Sequence, residues 1–152
     1  MFIHALAFSA GGRCTLTADQ AGGWLRATWS GYITPSEAMR GAENYLAQAK
    51  PFHNPYLLND NSSLRGPWFD SLAWLEQVWL PQAIQLGLRY IAHVVQADTH
   101  ADLLTLTCLA PATDMLELQF FDDVASAEEW LRSRRQPPTA HKPPPYALRE
   151  SL

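Results

Sequence analysis

Between Trp24 and Ile33 the chain alternates with a period of two. Leu25, Ala27, Trp29 and Ile33 fall on one side, and Arg26, Thr28 and Ser30 on the other. This pattern predicts an antiparallel strand with one face toward solvent, the face that also carries Trp24 and Tyr32. Arg13-Cys14-Thr15-Leu16-Thr17 alternates in the same way, and Asp19-Gln20-Ala21-Gly22-Gly23 between the two runs is turn chemistry. The two runs therefore predict a hairpin.

The period then changes. Thr34-Pro35-Ser36-Glu37 supplies a cap, a proline suited to the first helical position and the glutamate of a capping box. Ala38, Met39, Ala42, Tyr45, Leu46 and Ala49 recur at helical spacing until Pro51 stops the helix. Tyr56 to Asp60 is a short apolar run without alternation, as expected of a parallel strand covered on both faces. It runs into Asn59-Asp60-Asn61-Ser62-Ser63, which reads as a polar loop. Trp68, Leu72, Leu75 and Trp79 stripe a second helix. Pro81 should kink or restart it, leaving a short turn from Gln82 to Leu86 that ends at Gly87.

Tyr90 to Gln96 reads as a second buried strand. A third helix opens at Thr99, and Leu116, Leu118 and Phe120 mark a last strand. Ser126-Ala127-Glu128-Glu129 reads as another capping box, opening a helix through Arg135 with Trp130 and Leu131 inward. After that come Pro137, Pro138, Pro143, Pro144 and Pro145, which permit only extended or irregular chain. The expected architecture is one α/β domain over residues 1–135, followed by a Pro-rich tail over 136–152. Its mixed sheet begins with an antiparallel hairpin and continues as repeated β-α units.

Composition narrows the function. A hydrophobic fraction of 47% with 17% charge describes a folded globular chain, and a net charge of −4 argues against nucleic acid as a partner. The basic cluster Arg132, Arg134 and Arg135 complements a helix end. Cys14 and Cys108 are far apart, and Met1 to Phe8 is apolar without the basic start of a signal peptide. No run approaches the ~20 apolar residues of a membrane span. The expected compartment is the cytoplasm.

In its order of elements the chain resembles a STAS-type domain, the group that includes bacterial anti-sigma-factor antagonists. It is most similar to the branch related in fold to CRAL-TRIO lipid-binding domains. The resemblance rests on Trp29-Ser30-Gly31-Tyr32-Ile33-Thr34, Leu57-Leu58-Asn59-Asp60, Gly87-Leu88-Arg89-Tyr90-Ile91-Ala92 and Phe120-Phe121-Asp122-Asp123 before Glu128-Glu129-Trp130-Leu131. It implies a non-catalytic regulatory or protein-interaction module. Antagonist-type members carry a phosphorylatable serine at the helix after the central strand, a role that falls here to Ser71. Leu72-Ala73 stands where those members have a small Ser-Gly pair.

Candidate chemistry gathers where parallel strands end. Asn59, Asp60, Asn61 and Arg65 from one loop, with Asp98 and His100 from another, form the expected ligand-binding set. His93, inside a predicted strand, reads as a hydrogen-bonded core residue. The five histidines show no metal-ligand spacing, and there is neither a Gly-x-Ser-x-Gly elbow nor a Gly-rich phosphate loop between strand and helix. No catalytic residue, metal or cofactor is expected. At ~100° per residue, Trp74 falls outside the second helix's inward stripe, close to Val78. Trp74, Val78, Trp24 and Tyr32 are thus the candidate contact surface for a homodimer or a regulatory protein partner. Two alternatives remain open. One is a domain for a small apolar or lipid-like ligand, implied by the CRAL-TRIO relationship. The other is an enzyme built on Asp60, Arg65, Asp98 and His100.

Overall fold

A computed structural model describes residues 1–66, 72–96 and 114–135. Among these residues six strands form one mixed sheet whose spatial order follows the chain: β1 (Phe2–Ala7), β2 (Arg13–Asp19), β3 (Trp24–Tyr32), β4 (Tyr56–Arg65), β5 (Tyr90–Val94) and β6 (Glu117–Phe121). The first three are antiparallel, and β3 to β6 are parallel. The expected α/β class and mixed sheet are what the chain builds.

The expected hairpin is a three-stranded meander, because Met1 to Phe8 contributes β1 on its outer side. Only His4 interrupts the apolar residues Phe2 to Ala7, so no period of two is visible there. The pairing of β1 with β2 also slips between Phe2 and His4. The β2–β3 turn is tight because Asp19 accepts from Gly22 N–H through its side chain (2.7 Å) and from Gly23 N–H through its carbonyl (2.7 Å). Gly23 sits at φ 80°, a conformation costly for residues with a Cβ.

Helix α1 (Pro35–Ala49) starts on the anticipated capping box. Thr34 Oγ1 accepts from Glu37 N–H at 3.3 Å, and the Glu37 carboxylate accepts from Thr34 N–H at 3.1 Å. Pro51 lies in a single 3-10 turn (Lys50–Phe52) beyond its end. The next helix does not break at Pro81. Instead α2 (Leu72–Trp74) passes through a π turn (Leu75–Trp79) into α3 (Leu80–Gln85). Leu80 N–H bonds to Leu75 O, five residues back, which loosens the helix just where proline removes a donor and crowds the preceding turn. The Gln82 side-chain amide donates to Val78 O at 2.9 Å. The helix ends as expected at Gly87, φ 101°.

The last helix, α4 (Val124–Arg135), is capped three residues upstream of the expected box. Asp123 Oδ1 accepts from Ser126 N–H at 2.7 Å, and Oδ2 accepts from Ser126 Oγ at 3.0 Å. A carboxylate beside the unsatisfied N–H groups serves better than a serine hydroxyl, and Ser126 becomes its donor rather than the cap.

Helices cover both faces of the sheet. On the α1 side, Leu25, Ala27, Tyr45, Leu57, Leu88 and Ile91 form one cluster, and Trp29, Ile33, Ala38 and Leu64 belong to a second. On the α4 side, Trp24, Leu58, Ala92, Val94, Ala127 and Leu131 pack together. Trp24 is only 1% exposed, with the Arg132 guanidinium 5.5 Å from its ring centroid. That corrects the expectation of a wet face and removes Trp24 from any contact surface. α4 packs over Trp24 at the start of β3, whereas Arg26, Thr28 and Ser30 farther along that face are partly exposed. Tyr32 is exposed there, against Gly66.

Candidate functional site

Asn59-Asp60-Asn61-Ser62-Ser63 is not a loop. β4 continues through it to Arg65, and Asn59, Asp60 and Asn61 are buried. A polar run survives inside a sheet only if its side chains find partners, and here they find them on both faces.

The first device is a β-bulge. Thr28 pairs with Asp60 and Ser30 with Ser63, so Asn61 and Ser62 together oppose Trp29. Asp60 holds the extra residue in place, its Oδ1 accepting from Ser62 N–H (3.0 Å) and Ser62 Oγ (2.6 Å). Its Oδ2 accepts from Arg26 at 2.8 Å, and Arg26 in turn lies 4.0 Å from Glu128 on α4. Burial pushes the Asp60 carboxyl up. The hydrogen bonds from Ser62 and Arg26, with the Arg26 charge, outweigh it and hold the group below the ordinary range.

The other face carries a neutral network beneath α1. Trp29 Nε1 donates to Asn59 Oδ1 at 2.9 Å. An indole N–H can only donate, so this contact orients the amide. Asn59 Nδ2 then donates to Asn61 Oδ1 (3.2 Å) and meets His93 Nδ1 (2.9 Å). That ring nitrogen must be an acceptor, so His93 holds its proton on Nε2. Its ring stands edge-on to Phe120 at 5.8 Å, and it is 1% exposed. Among the described residues, nothing partners the buried Asn61 Nδ2. Asn59 thus ties β3, β4 and β5 together through side chains as well as backbone.

The expected ligand set therefore divides. Asn59 and Asn61 face α1, whereas Asp60 faces α4 across the sheet. Arg65 is exposed at the strand's end, five residues on and roughly 15 Å away at strand rise. Asp98, His100 and Ser71 lie outside the described residues, as do Trp68, the third helix expected at Thr99 and the tail 136–152. The Asn59 network was legible only in part. His93 stood out as a polar residue in an apolar strand, but nothing in the spacing joined it to Trp29.

Among the described residues no three His, Cys, Asp or Glu side chains are placed to hold a metal ion. Burial pushes the Cys14 thiol up to about 12, which leaves it unreactive as a nucleophile. Among the same residues no helix is long and apolar enough to cross a membrane.

On the outside of the helical layer, α1 and the α2–α3 helix enclose an open groove of about 520 Å³. One wall is Glu43, Leu46 and Ala47 of α1 with Lys50, the residue that caps its C-terminal end. The other carries Trp74 and Val78, then Gln82 and Gln85. The two walls are joined below, where Trp79 Nε1 donates to Ala42 O at 2.9 Å and its ring meets Tyr45 at 5.8 Å. Trp74 is half-buried and Val78 is 42% exposed.

No protein-family model matches the chain, and no curated protein matches it.

Proposed function

We propose that the chain is a non-catalytic regulatory or interaction module, STAS-like in plan, that works through the groove between α1 and α2–α3. The observation that carries this reading is the groove itself, whose two walls bring Leu46 and Ala47 opposite Trp74 and Val78, with Glu43, Lys50, Gln82 and Gln85 beside them. Apolar surface gathered in a concave site and rimmed by polar groups fits a protein contact. The buried polar residues support the same reading from the other side. Asp60 is engaged by Arg26 and Ser62 and faces away from His93, so the two do not form an acid–base pair. The Cys14 thiol, free and buried, fits a reducing, cytoplasmic setting.

The test is a photo-crosslinking amino acid at Val78, compared with the same group at exposed Glu129 on α4. Crosslinking in the source cell to a discrete protein band from Val78 alone is the expected result. No band, or the same bands from both positions, overturns the proposal.

A further inference from the structure

We infer that the groove is occupied by a second copy of this chain, with the two α1 helices packed antiparallel across a two-fold axis. This rests on the groove being a contact surface and names its occupant. Glu43, Leu46, Ala47 and Lys50 stand at i, i+3, i+4 and i+7; Lys50 caps α1 but keeps a right-handed helical backbone (φ −49°, ψ −46°), so the four lie on one stripe about two turns long. The stripe is apolar at its centre and oppositely charged at its ends.

A two-fold axis passing between Leu46 and Ala47 sets Glu43 opposite Lys50 of the second copy. The same axis sets Lys50 opposite Glu43 of the second copy, and each Leu46 opposite an Ala47. Two-fold interfaces require such self-complementarity, because one patch must serve both partners. Ala47 is exposed and small, so two helices can approach closely there.

Charge points to the same occupant. Glu43 and Lys50 are both exposed, and neither has an ion-pair partner among the described residues. The facing wall brings Gln82 and Gln85, which are neutral and compete for neither. Trp74 and Val78 then lie beside the incoming helix as its apolar support. An acidic or basic peptide would satisfy one end of the stripe and oppose the other, whereas a second copy satisfies both.

The experiment is sedimentation velocity at tens of micromolar on the native chain, Glu43→Lys, Lys50→Glu and Val78→Glu, each first shown to keep the native circular dichroism spectrum and melting transition. The native chain should sediment as a dimer. Each single variant should be weakened at least ~10-fold, because every exchanged charge meets its like twice or a carboxylate enters the apolar part of the groove wall. An equimolar mixture of Glu43→Lys and Lys50→Glu should recover the dimer, since each then offers the charge that the other lacks. A monomeric native chain, single variants that dimerise like the native one, or a mixture that stays monomeric overturns the inference. A monomer that still crosslinks at Val78 to a different protein overturns the dimer and leaves the module. A chain that does neither overturns both.

Discussion

Replacing Asn59 by alanine tests whether the buried network holds the sheet together or merely occupies it. The substitution deletes one acceptor and two donated hydrogen bonds. It orphans Trp29 Nε1, His93 Nδ1 and Asn61 Oδ1 at once, all in the interior. Each buried polar group left without a partner costs about 1–3 kcal/mol. Three would sum to roughly 3–9 kcal/mol if nothing relaxed. The vacated amide leaves room for one water, which can satisfy two of the three. That leaves one orphaned group and an expected loss of about 1–3 kcal/mol, a sizeable part of the 5–15 kcal/mol typical of a domain. Urea unfolding followed by tryptophan fluorescence and circular dichroism reads this directly, as a lower midpoint at unchanged slope. Ser63→Ala, on the same strand but exposed, is the control and should stay within about 0.5 kcal/mol. The Trp29→Phe variant closes a double-mutant cycle, with an expected coupling of at least ~0.5 kcal/mol. An Asn59→Ala loss below about 1 kcal/mol, or zero coupling to Trp29, would refute the claim that Asn59 is the joint of three strands.

Two further outcomes follow from packing and charge. Gly41→Ala should lower stability by about 1–2 kcal/mol, although the same change on an open helix surface gains about 1 kcal/mol. The new Cβ would stand 2.2 Å from Trp29 Cη2, on a ring tethered through its nitrogen to Asn59, and thermal melts decide the sign. For Asp60, the folded carboxyl titrates below its unfolded value of about 3.9, so its contribution is complete above that pH and is lost as the pH falls through the folded value. The stability gap between the native chain and Asp60→Asn should therefore be constant above about pH 5 and narrow below about pH 4. A gap that widens on acidification would mean that the Arg26 and Ser62 contacts do not favour the charged form.

What could be read from the sequence was whatever is decided locally. The capping box at Thr34 and Glu37 depends on four consecutive residues, and it formed as written. Gly87 ended its helix for an equally local reason. The failures share a cause, which is that tertiary neighbours reassign a residue's surroundings. Trp24 looked wet because its strand alternates, and nothing in that strand reveals that α4 lies over it. Asn59 to Ser63 looked like a loop because its partners, Trp29, His93 and Arg26, come from other strands. β1 was missed because an edge strand with a slipped register has little period to show. The division of Asp60 from Asn59 was legible in principle, since neighbours in a strand face opposite ways, once the run was known to be a strand.

The bulge in β4 makes one residue count for more than its side chain. Asn61 and Leu64 both face α1 although an odd number of positions separates them, and only the extra residue makes that possible. Deleting Ser62 would leave every chemical group of the core present and turn the end of the strand over, with Leu64 toward solvent and Arg65 toward Ile33 and Ala38. Serines at the surface usually tolerate replacement, and Ser63 has that freedom. The chain length between Asp60 and Leu64 does not, so removing a residue here should cost more than replacing the exposed Ser63.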